Sequence, residues 1–250
     1  MCAKSRKIVC VPAFVAVIAF ILASCGELAP AAVQENTKPG YVVALGGGEA
    51  GAGNACIRCH GLNGWGDHKT VPYLAGMDQG YLHRQLNDYA SGRRQHEVMS
   101  AIAKRLPAAE RASVAAYYQQ LPFQLGETRV SNPDTLYHAG DVTRRLAACA
   151  SCHGRQAEGI GAANPPLAQQ PASFLASQLW AWKRGERQND PQHVMLYISQ
   201  ALTDREISEV SAYVSNLPRV RQTPAQATYQ PERRARPRND ASKPHQYALE

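Results

Sequence analysis

The pentapeptide CIRCH at residues 56–60 returns as CASCH at residues 149–153, and this pair decides how the rest of the sequence is interpreted. In each copy two cysteines are separated by two residues, and a histidine follows the second cysteine at once. Two such cysteine pairs could bind a zinc ion through four thiolates, and a single pair could form a thioredoxin-like redox site. Neither alternative explains why the histidine is present both times.

The same pattern is the attachment signature of c-type haem. The two thiols add to the vinyl groups of one haem, and the neighbouring imidazole reaches the iron. We therefore predict two covalently attached haem c groups, with His60 and His153 as iron ligands. The predicted haem-attachment residues are Cys56, Cys59 and His60 in the first copy, and Cys149, Cys152 and His153 in the second.

The N-terminus has the features of a bacterial export signal. Three basic residues precede an uncharged apolar run over residues 8–22, which is short for a membrane-spanning helix. The following Leu-Ala-Ser-Cys resembles a lipobox, so we expect cleavage after residue 24 and lipidation of Cys25. Ordinary cleavage to a soluble protein and an uncleaved N-terminal anchor are the alternatives. With Cys2 and Cys10 removed, no cysteine pair remains for a structural disulfide.

The likeness between the two copies continues beyond the haem motifs, which indicates a duplicated domain. At an offset of 93 residues the matches include Gly61 with Gly154, Pro72 with Pro165, Gln85 with Gln178 and Gly92 with Gly185. After a three-residue insertion the offset becomes 96, and the matches include Met99 with Met195, Glu110 with Glu206 and Tyr117 with Tyr213.

This register selects the second iron ligands. Methionine is the usual partner of histidine in haem electron carriers because it raises the reduction potential. Met195 is the only methionine after the second haem motif, and its repeat partner is Met99, not Met77. Core packing is the competing interpretation of any such methionine. The nearby His96 and His193 are rival ligands, but they occupy different register positions, so we interpret them as surface or pocket residues.

The secondary-structure signals are helical throughout. Apolar and aromatic residues recur at three- and four-residue spacing over residues 78–91 and again from Phe174 to Trp182, and we interpret these stripes as core. Thr203 to Glu206 has the pattern of a capping box that opens another helix. Because no convincing alternating strand is present, the expected fold class is all-α with long loops.

These motifs resemble the class I c-type cytochromes and, among them, the di-haem cytochromes of the c4 type. The resemblance covers roughly residues 41–218. It implies two tandem class I cytochrome c domains related by a pseudo-twofold, each with one His/Met haem. Its motifs are CIRCHG, PYLAG, YLHRQL, VMSAIAKRL and VAAYYQQLP, then CASCHG, PPLAQQ, FLASQL, VMLYISQAL and VSAYVSNLP.

The resemblance also assigns a role to two prolines. Pro72 and Pro165 lie twelve residues after the haem histidines, where the family proline carbonyl accepts a hydrogen bond from the imidazole nitrogen that does not face iron. A proline that merely ends a loop is the alternative. Two features depart from the family pattern. The segment before the first motif is rich in glycine, which predicts a short first helix, and Gln169 replaces Gly76 in the second copy.

Composition divides the chain into five expected segments. These are an export signal at 1–24, a linker at 25–40, a first cytochrome c domain at 41–126, a second at 127–218 and a basic, proline-rich, disordered tail at 219–250. The chain carries +7, and the tail holds seven basic residues against three acidic ones. The tail could contact anionic lipid or an acidic redox partner, or it could simply be solvated. No folded motif supports nucleic-acid binding.

The sequence therefore predicts an electron carrier and not an enzyme, because two axial ligands close both faces of each iron. Expected partners are redox proteins: a quinol-oxidising complex, a terminal oxidase or a dehydrogenase, with no small-molecule substrate. The expected location is the periplasmic side of a bacterial membrane, with a lipid or N-terminal anchor, or the soluble periplasm. A permanent cytochrome subunit of a dehydrogenase or oxidase complex is the main alternative. A di-haem peroxidase, which would need an open or displaceable ligand position, is the other.

Overall fold

The computed structural model describes residues 37–123 and 135–220, and the regular elements in these ranges are helical. The expected all-α class is confirmed, since the β-type pairings there are isolated bridges. The predicted export signal, the lipidation site Cys25 and nearly all of the tail lie outside the described residues. The α-helices are α1 Gly40–Gly46, α2 Ile57–His60, α3 Gln79–Ser91, α4 Glu97–Arg105, α5 Ala108–Gln120, α6 Thr135–Ala139, α7 Ala150–His153, α8 Ala172–Lys183, α9 Val194–Ala201 and α10 Asp204–Ser215.

The first copy is built from α1 to α5. Helix α5 packs against α1 and α3, and α3 also packs against α4. The predicted helix over residues 78–91 is confirmed: Asp78 caps α3 by accepting a hydrogen bond from the N–H of Tyr81 at 2.9 Å, and Gly92 ends it with φ 86°. Its apolar stripe enters a core that includes Val43, Met77, Leu82, Leu106, Val114 and Tyr118.

The second copy repeats this arrangement, with α8 packed against α9 and α10. The predicted capping box is confirmed: Thr203 Oγ1 accepts from the N–H of Glu206 at 3.2 Å, and Glu206 Oε2 accepts from the N–H of Thr203 at 2.8 Å. Arg144 pairs with Glu206 at 2.7 Å, and this guanidinium together with the cap lowers the pKa of Glu206 to about 2. The core of this copy consists of two hydrophobic clusters. One contains Tyr137, Leu175, Val210, Val214 and Leu217. The other contains Leu146, Leu202 and Ile207.

The two departures from the family pattern have structural outcomes. Helix α1 has seven residues and is followed by short 3₁₀ turns, so the first helix is short as predicted. Gly76 and Gln169 adopt the same left-handed conformation, with φ 68° and φ 60°. In both turns the next residue donates its N–H to the carbonyl three residues before it, at 3.1 Å. Glutamine therefore keeps the glycine turn, at a backbone angle that favours glycine.

The two copies meet through a buried polar group that we call the arginine–glutamine cluster: Gln85, Arg94, Gln178 and Arg187. Gln85 Oε1 accepts from Arg94 at 3.0 Å and from Arg187 at 3.1 Å. Gln178 Oε1 accepts from the same two arginines at 2.6 and 2.8 Å. Each guanidinium thus bridges both copies, and both arginines are 5% exposed. The copies belong to one compact unit.

A second contact between the copies involves Gln170. Its Oε1 accepts from the N–H of Tyr73 at 2.9 Å, and its Nε2 donates to the carbonyl of Tyr73 at 3.1 Å. Gln170 is 4% exposed and Tyr73 is 8% exposed. The second copy therefore holds the loop of the first copy in which Pro72 and Tyr73 lie.

Candidate haem sites

Each cysteine motif folds as one short helical turn. Helix α2 follows Cys56 and contains Cys59 and His60, and α7 follows Cys149 in the same way. The N–H of each histidine donates to the carbonyl of the first cysteine at 2.9 Å. A helical turn places residues i, i+3 and i+4 on one face, so both thiols and the imidazole point to the same side. In the described part of the chain no disulfide joins these four cysteines.

Both haem histidines are oriented by a proline carbonyl. Nδ1 of His60 donates to the carbonyl of Pro72 at 3.0 Å, and Nδ1 of His153 donates to that of Pro165 at 3.0 Å. Burial lowers the pKa of both imidazoles, so they are neutral near pH 7. Within the described ranges no hydrogen bond engages Nε2 of either histidine, which leaves that nitrogen's lone pair for a metal.

The methionines in register lie at equivalent points of the two copies. Met99 and Met195 are half-buried in the first turns of α4 and α9. The N–H of Met99 donates to Nδ1 of His96 at 3.2 Å, and that of Met195 donates to Asp190 Oδ2 at 2.8 Å. By contrast, Met77 is 4% exposed in the first core, and the amide of Gln170 lies 3.7 Å from its sulfur.

The donor set fits haem c. Each segment offers two thiols for thioether bonds and one neutral imidazole nitrogen for iron, with a half-buried thioether in register further along the chain. No hydrogen bond in the described part of the chain connects the haem histidine of either copy to its register methionine. Met99 and Met195 therefore stay predictions as iron ligands. The rival histidines, His96 and His193, are exposed.

The arginine–glutamine cluster also fits haem c, because its arginines could bind the haem carboxylates. In the described part of the chain, neither Arg94 nor Arg187 forms an ion pair with an acidic side chain. Burial and the charge of Arg94 lower the pKa of Arg187 to about 10. The buried Nε1 of Trp182 has no hydrogen-bond partner among these residues. Two buried like charges are costly unless an anion neutralises them, and each haem brings two carboxylates. These three side chains would hold haem carboxylates.

Sequence reasoning missed these arginines although a signal was present. Arg94 and Arg187 match at the same offset of 93 residues that aligns the cysteine motifs. Arginines repeated just beyond two helices that also repeat a glutamine indicate a shared polar contact. The net charge of each segment did not reveal these arginines, because that count treats every basic residue as solvated surface.

Two haem-attachment turns, each with a histidine oriented by a proline carbonyl within a small helical domain, define a di-haem c-type cytochrome. The family model described as cytochrome c matches residues 47–122 and 143–218. The chain belongs to the cytochrome c family and is of the di-haem cytochrome c4 type, with two covalently bound haem c groups. It is an electron carrier and is not itself catalytic, so the predicted cofactor and the prediction of no enzyme activity are confirmed.

The similar proteins include cytochromes c4 and proteins named for thiosulfate dehydrogenase. A thiosulfate dehydrogenase electron acceptor of Stutzerimonas stutzeri (strain A1501) is 35% identical over 192 residues, covering 74% of this chain and 89% of that protein. The structure of reduced recombinant cytochrome c4 from Pseudomonas stutzeri is 27% identical with a TM-score of 0.60, covering 68% of this chain and 99% of that one. A thiosulfate dehydrogenase (TsdBA) structure from Marichromatium purpuratum is 35% identical with a TM-score of 0.63; the match covers 72% of this chain and 40% of that longer one.

Proposed function

We propose that this cytochrome accepts electrons from a thiosulfate dehydrogenase on the periplasmic side of a bacterial membrane and passes them to a respiratory complex. The carrier function depends on one observation above all: the same histidine–proline contact, at the same distance, in both copies. The choice of donor is supported by the relative named as an electron acceptor of that enzyme.

The proposed ligands explain why electrons alone are exchanged. Haem c supplies a one-electron couple when bound. Thioether bonds from the cysteines keep the group in place outside the cell, and the carbonyls of Pro72 and Pro165 fix the imidazole planes. Met99 and Met195 would close the opposite faces, so that water and small oxidants are excluded from the metal. A site closed on both sides favours outer-sphere transfer over chemistry on a substrate.

Exposed apolar side chains lie beside the proposed ligands in both copies. Leu62 is 63% exposed and Val98 is 50% exposed, and they lie within two residues of His60 and Met99. In the second copy Val194 and Tyr197 are 45% and 65% exposed, next to Met195 along the chain. Apolar surface of this kind suits transient protein–protein contact. Each copy therefore offers its own docking surface, one for the electron donor and one for the acceptor.

The proposed location depends on the N-terminal sequence. A cysteine directly behind an apolar run favours a lipid anchor at Cys25, and a lipid anchor would keep a mobile carrier close to membrane complexes. In residues 37–123 and 135–220, no helix is both long enough and apolar enough to cross a membrane. Mass spectrometry of the mature N-terminus tests the anchor.

Rapid-mixing spectroscopy tests the donor. The oxidised holoprotein is mixed with a thiosulfate dehydrogenase and thiosulfate, and reduction is followed in the haem absorption bands. We expect fast reduction that slows with Leu62→Glu but not with Val142→Glu, a control whose side chain is 87% exposed and lies outside both haem motifs, in the other copy. If thiosulfate and the dehydrogenase leave the protein oxidised while a quinol-oxidising complex reduces it, the proposed donor is wrong.

A fixed subunit is the second candidate, because the TsdBA chain is much longer than this one and matches it over 40% of its length. Size-exclusion chromatography of detergent-solubilised native membranes distinguishes the two. A shuttle elutes at the size of the free protein, whereas a fixed subunit co-elutes with a dehydrogenase at a constant ratio.

A further inference from the structure

The first cysteine of each haem motif is sheltered by the core, whereas the second is open to solvent. Cys56 and Cys149 are half-buried, and Cys59 and Cys152 are exposed. Cys56 packs against the hydrophobic core of the first copy, and Cys149 packs against that of the second. The first sulfur is therefore the one whose position buried side chains can fix.

A buried tyrosine lies near each of these first sulfurs. Tyr118 on α5 is 3% exposed and belongs to the core cluster against which Cys56 packs. Tyr137 on α6 is 0% exposed and belongs to the core cluster against which Cys149 packs. Burial raises the pKa of both phenols, and the nearby cysteine raises each pKa further. Both hydroxyls therefore stay protonated near pH 7 and can donate hydrogen bonds.

The two tyrosines do not occupy matching positions in the repeat. At the offset of 93 residues Tyr137 matches Ala44 on α1, and at the offset of 96 residues Tyr118 matches Val214 on α10. All four side chains are 0% to 3% exposed. Helix α1 packs against α5, and the ring of Tyr137 lies 5.7 Å from that of Tyr213 on α10. Each copy thus places one phenol beside its first cysteine, but the two copies supply it from opposite helices.

The two hydroxyls act at opposite ends of the haem-attachment turn. Tyr137 Oη donates to the carbonyl of Gly154 at 2.7 Å, directly after His153. In the first copy, burial raises the pKa of the Cys56 thiol to about 11, and the hydroxyl of Tyr118 beside the sulfur partly offsets this rise. In the described part of the chain no oxygen or nitrogen pairs with that buried hydroxyl. A buried tyrosine hydroxyl normally has a partner, and a sulfur can accept its proton weakly.

We infer that Tyr118 and Tyr137 are equivalent positioning residues, each of which holds the first haem-attachment cysteine of its copy so that the thioether bond has one orientation. The ring closes the core behind the sulfur. The hydroxyl restrains the turn, through the sulfur of Cys56 in the first copy and through the carbonyl of Gly154 in the second. The inference depends on covalent haem attachment and not on the identity of the electron donor.

NMR spectroscopy of the reduced holoprotein tests this positioning. Each variant is first shown by mass spectrometry to carry two haems, and the proton signals of the four thioether bridges are then assigned through contacts with each cysteine. We expect Tyr118→Phe to shift the signals of the bridge at Cys56 and to leave the other three bridges unchanged. Tyr137→Phe should shift the bridge at Cys149 alone. If neither variant shifts its own bridge, the phenols only fill the core and the inference is wrong.

A control and an exchange of helices separate the hydroxyl from packing. Tyr117→Phe makes the same chemical change one residue away on α5, at a half-buried side chain, and should shift no bridge. Ala44→Tyr combined with Tyr118→Val supplies the phenol from the helix used in the second copy. This pair should restore the Cys56 bridge signals that Tyr118→Val alone displaces. Equal shifts in the Tyr117 and Tyr118 variants, or a folded pair without restoration, would overturn the assigned role. The phenylalanine variants keep the core volume, so they decide the inference whether or not the pair folds.

Discussion

Replacing Gln170 by alanine tests whether the contact between the copies contributes to stability. This side chain makes two hydrogen bonds to the backbone of Tyr73, at 2.9 and 3.1 Å, and both residues are buried. Each bond contributes about 1 kcal/mol net, and a buried backbone group left without a partner costs about 1 to 3 kcal/mol. The expected loss in the free energy of unfolding is about 2 to 4 kcal/mol, which corresponds to a decrease in Tm of about 5 to 15 °C for a chain of this size.

Thermal and guanidinium unfolding of the holoprotein measure this loss. Gln188→Ala is the matched control, because this side chain is exposed and, among the described residues, donates only to the nearby carbonyl of Gly185, at 2.9 Å. Its expected effect is within about 0.5 kcal/mol. If the two alanine variants unfold alike, the clamp on Tyr73 does not stabilise the fold, and the argument from buried backbone groups fails here.

Three further outcomes are expected. Met99→Ala and Met195→Ala should each remove half of the sulfur-to-iron charge-transfer band of the oxidised protein, because each would take away one thioether ligand. Glu206 has a lowered pKa, so its stabilising contribution should be complete above the unfolded pKa of about 4.3 and should be lost as the pH falls through about 2. Cys25→Ser should release the protein from membranes into the soluble fraction, since a serine cannot carry the lipid.

Each of these outcomes has its own control. Met77→Leu should leave the charge-transfer band intact, and a loss of the band in that variant would transfer the ligand assignment to Met77. Glu206→Gln should match the unmodified protein in stability near pH 2 and fall below it at pH 6; a constant gap at both values contradicts the assigned pKa shift. A Cys25→Ser protein that stays in the membrane fraction would indicate a different anchor.

The sequence was informative where the signal is local. The cysteine motifs, the helix stripes and the capping box each depend on residues within one or two turns, and their spacing follows from helix geometry. The duplication added information beyond these local patterns, since each copy could be compared with the other at a fixed offset. The turns at Gly76 and Gln169 mark its limit, because only the structure shows that the glutamine takes the left-handed angle of its glycine counterpart.

The contacts between the copies could not be predicted in the same way. Gln170 bonds to Tyr73 across 97 residues of chain, and Arg219 reaches Ala75 across 144 residues. Neither residue has a polar counterpart in the repeat, since Met77 and Phe123 occupy the matching positions. Repetition therefore predicts what the copies have in common, whereas the asymmetric residues that join them become visible only in three dimensions.

The arginine–glutamine cluster makes each half of the duplicated chain depend on the other. Because each glutamine oxygen serves guanidinium groups from both halves, either half expressed alone would leave a cation and an amide without part of their hydrogen bonding. We expect such a fragment to be poorly soluble or to dimerise with itself. The two copies are therefore mutually dependent at this surface, and a single-copy form would require new side chains there.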